Sequence, residues 1–178
     1  MIGFNGGLIG VNKNYATISS NAGVITLGEQ IYSRHQYRHI RWRITAVRTP
    51  GFPVQASEFN LRIGSTNIPM SLAIVSTDPG AAFGNNNETA INLKDAIVNS
   101  KWYTSSVPTI SVFFDMGTSV IFNGYRWATA NDSDGRDPVS WTVAGSNNGT
   151  EYYTFDTKTN FATTTSRNTY VGPFTVSI

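Results

Sequence analysis

His35 and His39 are the chain's two histidines, four residues apart. On a helix that spacing lets two imidazoles grip one metal ion, but Gln36 follows His35 where a zinc-protease motif has glutamate. His39 also falls in an alternating, strand-like run, so the pair reads as solvent-facing or interfacial. Around them Arg34, Arg38, Arg41 and Arg43 place four cations in ten residues, with no carboxylate between. Such a cluster suits phosphate or an anionic polymer. No second basic cluster extends the footprint, however, and 13 Lys and Arg stand against 11 Asp and Glu. Nucleic acid is therefore not the expected partner. An exposed strand face with a subunit contact at Arg34, Arg41 and Arg43 fits better, because arginine is enriched at interfaces.

Catalysis finds little support. Asp132, Asp134 and Asp137 cluster around Gly135 with Arg136 among them, an ion-paired loop rather than the two carboxylates of a glycosidase. The run Asn131 to Gly135 lacks the acidic residue six positions after the glycine that a calcium-binding EF-hand needs; Trp141 stands there. No Gly-x-Ser-x-Gly elbow occurs. The chain has no cysteine, which removes disulfides, thiol nucleophiles and thiolate metal sites. A non-enzyme that requires no cofactor is expected. Tyr103, Phe83 and Tyr152 are candidates for stacking on sugar rings, whereas Trp42, Trp102, Trp127 and Trp141 read as core.

The elements that would position these residues are strands. Asn, Thr and Ser number 17, 21 and 17, so 55 of 178 positions carry small neutral polar groups, while charged residues make up 13%. Threonine fits a pleated surface, and Asn and Gly tolerate turns. No run approaches the ~18 apolar residues of a membrane span. No basic segment precedes the apolar residues of Met1 to Gly10, so no signal peptide is expected there.

Ile40, Trp42, Ile44 and Ala46 alternate with polar neighbours, as do Ile110, Val112, Phe114 and Met116. Val139, Trp141 and Val143 form another inward set, followed by the turn run Gly145 to Gly149 and then Tyr153 and Phe155. Ile121, Tyr125 and Trp127 are expected on one face, and Phe174, Val176 and Ile178 close the chain. Ala90, Leu93 and Ile97 form one weak helical patch. The fold class is all-β, an antiparallel β-sandwich or jelly roll over 39–178. Residues 1–38 differ: a Gly-rich start, a polar stretch, then Thr26 and Glu29 spaced as a capping box. Leu27, Ile31 and His35 would share one short helical face, too short to stand alone in water. An anchoring arm is expected, with Phe4, Leu8, Leu27 and Ile31 among its interface residues.

Four blocks resemble the discoidin family, the galactose-binding-like β-sandwiches also called coagulation factor 5/8 type C domains. They are Lys94 to Trp102, similar to the family's Asp-Gly-Asn…Trp block; Ser111 to Gly117, similar to its strand ending in Asp-Leu-Gly; Gly124 to Asp132 followed by Arg136 to Val143; and the turn Gly145 to Thr150. With Ile40 to Leu61 the likeness is spread from Ile40 to Thr150. Arg41 to Thr45 and Gln55 to Leu61 resemble the family's closing strands yet come first here, as in a circular permutation, which closely placed termini permit. The resemblance implies a binding module, usually for glycans, whose ligand site lies on variable loops and transfers to no residue here. It also implies a structural calcium held by Asp95, Ser100 and Glu58, although Ala96 and Ile97 replace the family's Gly and Asn.

Phe4 to Val11 and Ala22 to Tyr32 resemble the openings of virion proteins of tailed bacteriophages. Together these likenesses imply a non-catalytic virion structural or accessory protein of head, tail or fibre, located on the particle surface. It would be homo-oligomeric, dock on other virion proteins through the arm, show glycans a discoidin-like face, and neither bind nucleic acid nor enter a membrane. The alternative is a free carbohydrate-binding, lectin-like module of a secreted system.

Overall fold

A computed structural model describes residues 35–79, 81–105 and 109–176. In chain order the strands are β1 (His35–Val47), β2 (Val54–Ala56), β3 (Glu58–Ile63), β4 (Thr66–Asn67), β5 (Ile74–Thr77), β6 (Trp102–Thr104), β7 (Ile110–Phe122), β8 (Gly124–Ala128), β9 (Pro138–Ser146), β10 (Tyr153–Lys158) and β11 (Tyr170–Thr175). The alternating segments seen in sequence become the long strands. β1 pairs antiparallel with β7 on one side and β9 on the other, in a five-stranded sheet ordered β10-β9-β1-β7-β5. A second antiparallel sheet runs β11-β8-β3-β4, and β2 and β6 form a short pair.

The two larger sheets face each other across an aromatic core. Trp42 from β1 lies 5.3 Å from Phe59 of β3 and 5.8 Å from Trp127 of β8, ring centre to ring centre. Phe114 of β7 stacks on Phe59 at 5.0 Å, and Trp141 of β9 meets Trp127 edge-on at 5.6 Å. All four tryptophans are fully buried, as expected of side chains that alternate inward from both layers of a sandwich. The all-β antiparallel architecture stands as read from sequence.

Local parity fails where the ladder slips. The β1–β9 register shifts on either side of Ala46, so Ala46 is half-buried and Val47 takes the core position. An inserted residue reverses every side chain beyond it. Ile121 is 43% exposed and Phe122 is buried instead, because the chain leaves one sheet at Phe122 and enters the other at Gly124. Met116 and Val139 are half-buried. The helical patch is a short 3₁₀ helix, Ala90–Lys94, that buries Ala90 and Leu93; Ile97 lies beyond it and is exposed. A second 3₁₀ turn spans Asp134–Arg136.

The sheet also begins earlier than the boundary at residue 39. β1 opens at His35, whose ring packs 5.6 Å from Phe122 and 4.7 Å from Phe155. Aromatic packing places His35 in a strand rather than on a helical face with Leu27 and Ile31. Phe4, Leu8, Leu27, Ile31, Arg34, the Thr26–Glu29 box and Ile178 lie outside the described residues.

Candidate functional site

Asp95 caps the 3₁₀ helix that packs against β3. Its carboxylate accepts a hydrogen bond from the Ile97 N–H at 2.8 Å and lies 2.8 Å from the Ser100 hydroxyl, which also lies 2.9 Å from the Ile97 carbonyl. This tight turn needs a left-handed residue, and Ala96 supplies it at φ 62°. Glycine takes that conformation without the Cβ penalty, so an alanine holds a glycine-like backbone at this turn.

Glu58 opens β3 opposite Ala128. It is fully buried, and neither carboxylate oxygen has a hydrogen-bond partner among the described residues. Burial, reinforced by the adjacent Asp95 carboxylate, pushes its carboxyl up to about 7; the nearby Ile97 N–H and Asn60 side chain oppose part of that shift. Two adjacent carboxylates, one of them buried without a well-formed hydrogen bond, are stabilised by a shared proton or a cation. Asp95, Ser100 and Glu58, scattered over 43 positions of sequence, are thus brought together.

The fit to calcium follows from the donors. Carboxylates of Glu58 and Asp95, the Ser100 hydroxyl and the Ile97 carbonyl are hard oxygens, which calcium prefers. No group of three or more His, Cys, Asp or Glu side chains suited to a metal occurs among the described residues. A calcium ion here would complete its six to eight oxygens with carbonyls and water. When bound, it would neutralise the carboxylate pair and brace the loop. No family model, curated protein or solved structure matches the chain.

The arginine cluster separates in three dimensions. Arg38 bonds Asp115 of β7 through two nitrogens, each at 2.8 Å, and this pairing holds the Asp115 carboxyl down at about 2. The carboxylate absent from the local sequence therefore arrives across the sheet. Arg41 lies 4.7 Å from the Tyr152 ring, and Arg43 is exposed on the same side of β1. His39 stands 3.8 Å from Asp115. Among the proposed sugar-stacking rings, Tyr103 has Arg136 at 4.7 Å over its ring and Tyr152 has Arg41, while Phe83 is 41% exposed.

The acidic loop is ion-paired, with more partners than the local sequence offers. Lys101 bonds Asp132 at 2.8 Å and lies 3.3 Å from Glu88. Asp137 is fully buried and bonded by Arg167, with Arg48 at 3.8 Å. Burial nevertheless pushes the Asp137 carboxyl up. One grouping had no signal in sequence: Tyr37, Asn147, Asn148, Glu151 and Tyr153 line a groove of about 310 Å³. They come from β1, the β9–β10 turn and β10, which adjoin only through the sheet order.

Proposed function

We propose that the chain is a non-catalytic structural or accessory protein of a tailed-phage virion, docked through its N-terminal arm and displaying a permuted, discoidin-like sandwich to host-surface glycans. The turn at Ala96 supports the discoidin-like part of this reading, and the likeness of Phe4 to Val11 and Ala22 to Tyr32 to phage virion openings supports the virion part. A non-glycine residue holds glycine geometry where the motif has glycine, and the carboxylates and hydroxyl implied as calcium ligands converge beside it. The burial of Glu58 supports bracing over catalysis, because a carboxylate closed to solvent cannot meet a glycosidic bond.

The test uses particles from the infection that produces the chain. Full-length protein should co-sediment with them, and a cryo-EM map should place the sandwich outermost. Protein lacking residues 1–34 should stay folded and fail to incorporate. The truncation stops at 34 because His35 and Tyr37 belong to the sheet. Full-length chain absent from particles, or a truncated chain that incorporates equally, overturns the proposal.

A further inference from the structure

We infer that the groove between the start of β1 and the β9–β10 turn is a binding site for a neutral hexopyranose. The inference deepens the glycan-display reading above and rests on it. At about 310 Å³ the groove stands at the small end of ligand pockets, roughly 300–1,000 Å³, which suits one or two sugar rings.

A pyranose presents an apolar C–H face and a rim of hydroxyls. Its site therefore needs an aromatic surface and fixed polar groups around it. Tyr153 supplies the surface, with 64% of the residue exposed. It is the cross-strand partner of Gly145, so both residues address the same face of the sheet. Tyr37 lies over that glycine: a Cβ at Gly145 would fall 2.0 Å from Tyr37 Cδ2. The Tyr37 ring is also held nearly parallel to Phe155, 6.3 Å away with a 10° tilt. Tyr37 and Tyr153 both line the groove.

The polar rim is already ordered. Asn148 Oδ1 accepts the N–H groups of Thr150 and Glu151, each at 3.0 Å. Ser146 Oγ accepts the Gly149 N–H at 2.9 Å. Asn147 Oδ1 takes the Arg38 N–H at 3.0 Å and the Ser119 hydroxyl at 2.9 Å. Asn148 Nδ2 leans on Glu151 Oε2 at 3.3 Å, a long contact that leaves the carboxylate ready to accept sugar hydroxyls. A rim fixed before binding spares the ligand the cost of ordering it.

Charge selects among sugars. Among the described residues no cation lines the groove, and the nearby Arg38 guanidinium is committed to Asp115. Glu151 would repel uronic acids, sialic acids and phosphosugars. A neutral ring is the ligand that remains.

The experiment titrates methyl glycosides of galactose, glucose and N-acetylglucosamine into full-length ¹⁵N-labelled protein, with glucuronate as the charged control. At least one neutral glycoside should saturate, with dissociation constants of roughly 1 mM, and shift the signals of Tyr37, Asn148, Glu151 and Tyr153. Glucuronate should bind far more weakly. Tyr153→Ala should weaken binding by about tenfold or more, corresponding to about 1.4 kcal/mol. Tyr153→Phe should retain most of it, and Glu151→Gln should lose several-fold; thermal melting checks that each variant is folded. Glycoside shifts that map elsewhere, or affinity indifferent to Tyr153→Ala, overturn the groove while the glycan reading stands. Failure of all three glycosides overturns the groove as well. Host-cell adsorption by wild-type particles then decides separately whether the display reading survives.

Discussion

Glu58 makes stability depend on pH in a direction opposite to ordinary acid denaturation. Its carboxyl moves from an ordinary 4.5 to about 7 in the folded chain. At about 1.4 kcal/mol for each tenfold change in proton affinity, that shift is worth about 3 kcal/mol. The folded state holds its proton more tightly than the unfolded state. Below 4.5 both states are protonated and no penalty arises; as pH rises from 4.5 to about 7 the penalty grows to its full size. In EDTA, the melting temperature should therefore fall by roughly 6–12 °C from about pH 5 to about pH 8. Glu58→Gln removes the titration and should flatten that part of the curve. Excess calcium should abolish the wild-type fall, since a bound cation does the proton's work. The assay is thermal unfolding followed by circular dichroism in EDTA and in calcium. A flat wild-type profile in EDTA, or an identical slope in Glu58→Gln, would refute the buried-pair argument. A calcium-insensitive profile would show that a proton alone closes the pair.

Three further outcomes follow from geometry. Gly145→Ala should cost about 1–3 kcal/mol in urea unfolding, because the new methyl meets the Tyr37 ring at 2.0 Å and the ring must tilt away. Asp115→Asn should remove the stabilisation that wild type loses as pH falls from 3.8 to about 2, the range in which Arg38 loses its carboxylate partner. Wild-type and variant acid-unfolding curves should therefore converge at the acid end. Trp42→Ala empties a position flanked by Phe59, Trp102 and Trp127 and should cost about 3–5 kcal/mol in the same urea assay.

What sequence reveals here is whatever repeats at period two. Ile40, Trp42 and Ile44, and likewise Ile110, Val112 and Phe114, are buried as their alternation requires. Val47 and Phe122 were missed because a register slip and a change of sheet reset the parity, and neither leaves a mark in local composition. The Glu58–Asp95–Ser100 grouping was legible through family likeness alone; 37 positions separate the two carboxylates. The Arg38–Asp115 pair and the tyrosine groove had no such guide. Each needs the order β10-β9-β1-β7 to bring its members together, and long-range strand order is not written in any short window. Gly145 shows the same limit: in sequence it opens a turn run, whereas in the fold it is the floor beneath Tyr37.

The placement of β1 has a mechanical consequence. Residues 1–34 continue covalently into the middle strand of the five-stranded sheet, not into an edge. Tension drawn through that segment pulls β1 lengthwise between β7 and β9. Antiparallel hydrogen bonds lie across the strand, so many must shear together, and a middle strand is held by two such ladders where an edge strand has one. Tyr37 is the third residue of β1, which puts the groove beside the point where load enters. Force between a held sugar and the leading segment would cross a short stretch of the central strand and leave most of the sandwich unstressed. Such a module stays folded under any load that a weak grip on a sugar transmits, so the contact yields before the fold does.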